Sequence, residues 1–493
     1  MPHRIAADKE RGRGERRNGE LDYREGGQEQ STQQEDGIVS QRSVFAAIVA
    51  TLFIRIASRI SFVILSFYLG AHFASATIVV MVLETFYLSE LVFAPLVGSL
   101  SDRLGRKPFL LLAPVLACVA SCCMLLAARL FPHPNAEEIN LKLVMLLLII
   151  LVGRLLEGAS SGMNVPATLG YITDATVGSA RLRARVVTAF EIVTVGGLVL
   201  AIPLGGKISS TFDTWGFLVV IVIYLVTLVI IVLGVDESMQ RQTTLWREKD
   251  TYKRPGRSLL EGLAVIRHKR IYTFLPAWFC VNALVGAWTV LITIMLSYPN
   301  PAADQRQPGQ LLYGGFSRMS ASLWVGLFAL LFLLGMGLWI LFLPRLRRTT
   351  VMLIGLGGLA LMIISLSVIN SLGENPRAVP TTELPIIMVM LLLTGLGVLL
   401  LSGFTPASLT QMGAIAETLH GQRGAVMGLY SVVLAIGQLL GATIGGFFVD
   451  LCGFYGLMLF SVLMGLASLG SVLYMRSHAH DQLAANAPSL PLG

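Results

Sequence analysis

Twelve runs of about 20 mostly apolar residues dominate this chain, and a helix of that length spans a bilayer core of ~30 Å. They fall at about 43–69, 75–98, 109–130, 141–165, 185–208, 216–235, 271–297, 320–343, 349–371, 385–406, 424–449 and 454–475. The residue-by-residue alternation of a membrane barrel is absent. Charged residues make up only 13% of the chain, against about 25% in soluble domains. The expected fold is therefore an all-α membrane protein with twelve transmembrane helices.

The net charge of +8 does not point to nucleic acid, because the cations gather in the tails and in the loops of one face. Those loops hold Arg103, Arg106 and Lys107, then Arg181, Arg183 and Arg185, then Arg345, Arg347 and Arg348, then Arg423. The opposite loops hold few, such as Lys142, Arg306 and Arg377. Cytoplasmic loops carry the excess of Lys and Arg, so both termini are expected in the cytoplasm. The expectation is a multi-pass protein of the plasma (inner) membrane in contact with lipid.

Residues 1–42 are polar and charged, without the short apolar core of a cleaved signal peptide, and are expected to be a disordered tail. Residues 43–235 form one six-helix bundle and 271–475 a second. Between them, 236–270 is a charged cytoplasmic linker in which Leu259 to Ile266 has the spacing of a surface-lying amphipathic helix. Residues 476–493 form a cytoplasmic tail.

The halves repeat. A shift of 240 puts Pro166-Ala167-Thr168-Leu169 on Pro406-Ala407-Ser408-Leu409, Arg183 on Arg423 and Gly197 on Gly437. It also puts Gly205-Gly206 on Gly445-Gly446 and Gly216 on Gly456. Repeats of the same orientation predict two bundles related by an axis along the membrane normal.

Between the second and third runs lies Gly98-Ser99-Leu100-Ser101-Asp102-Arg103-Leu104-Gly105-Arg106-Lys107. It is expected to be a short membrane-surface loop. Gly98 would let two helices approach closely, Asp102 would cap the next helix or pair with a cation, and Gly105 would permit a tight turn. The stretch resembles the signature loop of the major facilitator superfamily, G-x-x-x-D-R-x-G-R-K/R, at every specified position. In the second half, Arg345-Leu346-Arg347-Arg348 keeps the cations without the Asp and Gly. The resemblance implies a secondary active transporter, not an enzyme, with a central cavity between the bundles. In that family Asp102, Arg103 and Arg106 would hold the bundles together on the cytoplasmic side.

Charge inside a membrane is costly and marks functional candidates. The first span carries Arg55 and Arg59, the second Glu84 and Glu90, the fourth Arg154 and Glu157, the fifth Glu191. They either pair to lock the first bundle or line a polar cavity or proton path; their concentration in one half favours the latter. At ~1.5 Å per residue, Arg59 lies roughly 24 Å and Glu84 roughly 21 Å above the cytoplasmic end. Arg55 at roughly 18 Å is within a turn of Glu84, and Glu90 at roughly 12 Å is the poorer partner. An ion pair of Glu84 with these arginines is expected.

Gly153-Arg154-Leu155-Leu156-Glu157-Gly158 resembles the family's R-x-x-Q-G motif, with Glu157 in place of Gln. In proton-exchanging members this Arg is implicated in coupling. The antiporter motif G-x-x-x-G-P-x-x-G-G is incomplete: Gly197 and Gly205-Gly206 match, while Ala201-Ile202 replaces the middle G-P. Val235-Asp236-Glu237-Ser238-Met239 is a poor match to the sugar porters' P-E-S-P-R.

In the second half, Asn282, Trp288, Thr289, Thr293, Thr405 and Gln438 could line a substrate cavity. A membrane Trp is also a common interface anchor, and Asn or Gln commonly joins helices. Cys118, Cys122, Cys123, Cys280 and Cys452 have neither metal-ligand nor disulfide spacing. No nucleotide loop or metal cluster is present, so no cofactor and no metal are expected. The expected function is proton-coupled transport of a small organic molecule by a monomer, with efflux favoured. A proton symporter or uniporter for a nutrient is the alternative, and a non-transporting receptor on the same scaffold is the rival of another class.

Overall fold

The computed structural model describes residues 41–131, 140–176, 180–236, 269–298, 309–373, 381–418 and 423–485. The polar tail and the linker segment Leu259 to Ile266 lie outside these. Every regular element among the described residues is helical. The first six helices are α1 (Gln41–His72), α2 (Ala76–Leu104), α3 (Lys107–Leu130), α4 (Leu141–Ala175), α5 (Ala180–Phe212) and α6 (Gly216–Gly234). Then come α7 (Lys269–Ser297), α8 (Arg318–Phe342), α9 (Arg348–Ser371), α10 (Leu384–Leu401), α11 (Phe404–Thr418), α12 (Arg423–Cys452) and α13 (Phe454–Ala485).

Eleven stretches are long and apolar enough to cross a membrane. One of them, Val199–Gly234, contains the end of α5 and all of α6, separated by the 3-10 turn Asp213–Trp215. It therefore crosses twice. Another, Leu384–Met412, joins α10 to α11 in one crossing. Twelve crossings result, with both ends of the described chain on one face. That face is called proximal here, and the face of Asp213–Trp215 distal.

Several helices outrun their apolar windows. Helix α2 continues to Leu104, α4 to Ala175 and α13 to Ala485, ten residues past the expected start of a tail. Hydropathy marks only the part in hydrocarbon, and a helix already nucleated extends into water one hydrogen bond at a time. The surface loop expected at Gly98–Lys107 thereby shrinks to Gly105 and Arg106, and Asp102 and Arg103 lie on the last turn of α2. Gly105 makes the turn at φ 93°, the left-handed region open to glycine.

The break between α10 and α11 is satisfied by side chains. Trp339 Nε1 donates to the Leu399 carbonyl at 2.9 Å, and Ser402 Oγ donates to it at 2.8 Å. The carbonyl freed from the ladder thus keeps partners, as a membrane interior requires.

Helices α1–α6 pack as one bundle and α7–α13 as another; the bundles meet through α5 on α8, α2 on α12 and α1 on α7. The repeat shows in the glycine doublets. Gly205 backs onto Ile60 and Val63 of α1, in its own bundle, and Gly206 onto Arg318 and Ser322 of α8, in the other. Gly445 backs onto Ala287 and Leu291 of α7, and Gly446 onto Ala76 and Thr77 of α2. Each doublet thus packs once within its bundle and once across, as the axis requires.

Two polar latches close the distal face between the bundles. Arg318 Nη1 meets Asp213 Oδ1 at 2.5 Å and donates to Ser209 Oγ and to the Ser209 carbonyl at 3.3 Å. Asp450 sits at the N-terminus of α2, where free backbone N–H groups favour an anion. Its carboxylate accepts from Ala76 N at 2.6 Å, Thr77 N at 3.1 Å and Ser75 Oγ at 2.7 Å.

Candidate functional site

A cavity of about 640 Å³ lies along the bundle boundary, mostly within the second bundle. Helices α7 to α11 supply most of its walls, closed by Arg59, Phe62 and Val63 of α1 and Val199 and Ile202 of α5. Asn282, Trp288, Thr289, Thr293, Thr405 and Gln438 all face it. The walls are otherwise largely Leu, Ile, Val and Phe, together with Trp278 and Trp324. Arg59 is its one charged lining residue among those described.

The polar lining divides by what it already bonds. Asn282 Nδ2 donates to the Trp278 carbonyl at 2.7 Å, and Thr289 Oγ1 to that of Val285 at 2.8 Å, both in their own helix. Trp288 Nε1 donates to Ser461 Oγ at 3.0 Å, tying α7 to α13. The ring of Trp288 also stands edge-on to Phe454, with centroids 6.4 Å apart. The side chains of Gln438 and Thr405 make no hydrogen bond among the described residues, which leaves them open to a solute.

Leu311, Leu312 and Phe316, from the segment before α8, line the cavity on the distal side. Leu311 N bonds the Asn370 carbonyl at 3.0 Å, and Leu312 N bonds Asn370 Oδ1 at 2.9 Å. Gln310 fixes the same segment to the α12–α13 turn, donating to the Cys452 carbonyl at 3.1 Å and accepting from Phe454 N at 2.7 Å.

The charges of the first bundle do not line this cavity, Arg59 excepted. Arg154 and Glu157, both buried, pair at 2.5 Å along α4. Arg154 Nε and Nη2 also reach the Leu83 carbonyl of α2, at 3.0 and 2.7 Å. Its guanidinium lies 5.0 Å from the Phe86 ring centroid and 5.7 Å from that of Phe62. Arg59 is 5.7 Å from the same Phe62 ring and donates to Tyr87 Oη at 3.3 Å.

The ion pair expected between Glu84 and Arg59 or Arg55 is absent. Glu84 is fully buried, and neither carboxylate oxygen has a hydrogen-bond partner. Glu90, further along α2 and half-buried, instead joins an arginine indirectly: Ser161 Oγ donates to Glu90 at 2.8 Å and accepts from Arg55 at 3.2 Å. Rise per residue made Glu90 the poorer partner, but it does not set direction, which turns by 100° at each helical residue. The polar cavity expected from these charges is likewise replaced by an apolar one. Gly158 and Gly162 let α2 close on α4, Gly158 against the Phe86 carbonyl and Gly162 against that of Glu90, so Arg154 pairs with Glu157 inside the bundle while Glu84 is left without a hydrogen bond.

Helix α5 carries Glu191, whose side chain lies outside the described residues, as do those of Asp102 and Arg103. Arg106 donates to Ser101 Oγ at 2.7 Å and packs over Gly170 of α4. It holds the N-cap position of α3, which has no side-chain cap. Lys107 opens α3. Gly98 is not the close approach expected of it: an added Cβ would meet only Pro166, at an ordinary 3.8 Å.

Sequence reasoning missed Phe62 and Tyr87, which hold Arg59, and the latch residues Asp213, Arg318 and Asp450. One signal was available. Asp213 is a lone acid in a short turn between two apolar runs, and Arg318 a lone cation at the edge of another. Groups so placed need partners.

Three solved structures share the fold. The nucleoside transporter NupG superposes with a TM-score of 0.63 at 12% identity, covering 89% of this chain and 99% of that one. A bacterial homologue of the iron transporter ferroportin, in an inward-facing state, gives 0.61 at 13%, covering 88% and 99%. A D-xylose–proton symporter gives 0.58 at 15%, covering 87% and 97%. No curated protein matches the chain. The sequence profile of the Major Facilitator Superfamily matches residues 47–304 and 312–492, nearly the whole membrane region, and the chain belongs to that superfamily of membrane transporters.

Proposed function

We propose that this transporter exports a small, largely apolar organic solute in exchange for protons, by alternating access, as a monomer of the plasma membrane with both termini in the cytoplasm. The observation that carries the reading is the 640 Å³ apolar cavity at the bundle boundary. Its volume falls within the roughly 300–1,000 Å³ of small-molecule sites. The outward direction is supported by the resemblance of Gly153–Gly158, and of Gly197 with Gly205-Gly206, to motifs of proton-exchanging members of the family.

Proton coupling is supported by the buried Arg154–Glu157 pair and the unpartnered Glu84 beside it. Intramembrane ionisable groups that touch no solute site fit a proton path better than a binding site. In this reading the distal latches at Asp213–Arg318 and Asp450 hold the cavity shut from outside. Asp102, Arg103 and Arg106 hold the opposite closure when the cavity faces out. Each state is then favoured by contacts absent from the other, as population shift requires.

The test is flux in proteoliposomes under pH gradients of both polarities, with apolar aromatic solutes as cargo. Exchange predicts accumulation on the acidic side. Accumulation on the alkaline side would mean symport and uptake. Flux indifferent to the gradient would remove proton coupling altogether.

A further inference from the structure

Resting on this reading, we infer that the preferred solute is an organic anion with a bulky apolar body, its charge held by Arg59.

The two halves of the repeat differ at one helix pair. In the first bundle α2 and α4 are zipped together by Gly158 and Gly162, and Ser89 Oγ bonds the Leu155 carbonyl at 2.6 Å. A shift of 240 carries α2 to α8 and α4 to α10–α11. There the counterparts touch where Gly335 and Trp339 meet Leu399, Ser402 and Gly403. Nearer the distal face, Trp324 and Phe328 of α8 and Ile387 and Leu391 of α10 face the cavity instead of each other.

The same shift carries Arg154, Glu157 and Gly158 onto Thr394, Gly397 and Val398. Thr394 and Val398 line the cavity. Where one half keeps a buried ion pair and a closing glycine, the other has lost both charges and opened. The space left has no acid in its lining, so nothing on that side compensates a cationic solute.

Arg59 enters from the opposite bundle. Its contacts are the Tyr87 hydroxyl at 3.3 Å and the Phe62 ring. Glu84 and Glu90 lie near enough to act on the Arg59 charge, but neither forms an ion pair with it and neither lines the cavity, so on the cavity side the guanidinium faces no acid. A guanidinium forms two parallel hydrogen bonds with a carboxylate or sulfonate, and in an apolar surrounding the attraction is much stronger than in water. The unbonded Gln438 amide and Thr405 hydroxyl add neutral donors to the same lining. A cation of the same shape would meet Arg59 as a like charge.

The experiment uses the full chain in lipid nanodiscs and three probes with one naphthalene body: 1-naphthalenesulfonate, 1-naphthalenemethanol and 1-naphthylmethylammonium. The thermal unfolding midpoint is followed against probe concentration. The sulfonate should bind about tenfold more tightly than the ammonium, with the alcohol between. Arg59→Gln should bring the three to parity, and Arg59→Lys should keep part of the preference. Thr394→Trp, which fills the cavity, should abolish stabilisation by all three.

Equal binding of the three by the wild-type protein, abolished by Thr394→Trp, would overturn the anion preference while leaving an apolar solute site in place. Tighter binding of the ammonium, or no stabilisation by any probe, would also overturn it. The wild-type series decides the sign of charge without any variant, and proteoliposome flux tests transport separately.

Discussion

Arg154 and Glu157 meet at 2.5 Å on one face of α4, with both side chains almost wholly removed from solvent. Leaving one such charge alone costs about 3–5 kcal/mol, whereas removing both is often neutral. Arg154→Leu and Glu157→Leu should each lower the unfolding midpoint and the yield, and the double variant should recover most of both. The double variant should also lose flux driven by a pH gradient. A stable double variant with full coupling would leave the pair a purely structural role.

Glu84 makes no ion pair, so Glu84→Gln strands no arginine. Its stability should change by no more than about 1 kcal/mol. The pH profile of transport should flatten, because the buried carboxyl beside Arg59 and Arg154 is gone. Thermal unfolding and flux across a pH series check both halves. An unchanged profile at normal yield would make Glu84 a bystander.

Burial alone would raise the Asp213 carboxyl, but the hydrogen bond from Arg318, the Thr214 N–H and the charges of Arg318 and Arg129 outweigh it. They hold it below its ordinary 3.8. A group with a lowered folded pKa contributes stability above its unfolded value and loses it as pH falls through the folded one. The distal latch thus stays charged at neutral and mildly acidic pH. Asp213→Asn should open the distal face to a similar degree at about pH 5 and about pH 8. A Thr289→Cys reporter in a chain lacking the five native cysteines would show this as faster labelling from that side. An opening confined to one pH would contradict it.

Gly158 faces the Phe86 backbone with no room for a methyl. Gly158→Ala should cost about 1–3 kcal/mol through overpacking. Gly357 has nothing within 4 Å of the same added atom, so Gly357→Ala is the control and should leave the unfolding midpoint nearly unchanged. Equal midpoints for the two variants would mean that α2 and α4 yield freely.

The crossings, the two bundles and the duplicated glycines were legible because each follows from a local or periodic pattern. The number of apolar runs gives the crossings, and the 240-residue shift gives the bundles. The Gly105 turn was legible for the same reason. What stayed hidden depends on azimuth and on partners remote in sequence. Glu84 and Arg59 were placed near one level by rise per residue, yet Arg59 bonds Tyr87 and Glu84 bonds nothing. Phe62 looks like any apolar residue of α1, yet it stands beside two guanidinium groups. The cavity needs Val398 where the first half has Gly158, a contrast with meaning only once α8 is seen apart from α10.

The second glycine of each doublet, Gly206 and Gly446, presents bare backbone to the opposing bundle. The Ser322 side chain seats against Gly206 and the Pro203 ring against Gly326, so small residues let the bundles close tightly there. Two clasps fasten this close contact, Asp213 to Arg318 and Asp450 to the start of α2. Opening must break those few polar bonds as well as the packing, so one solvent-accessible substitution there shifts the resting position of the whole machine while its fold is untouched.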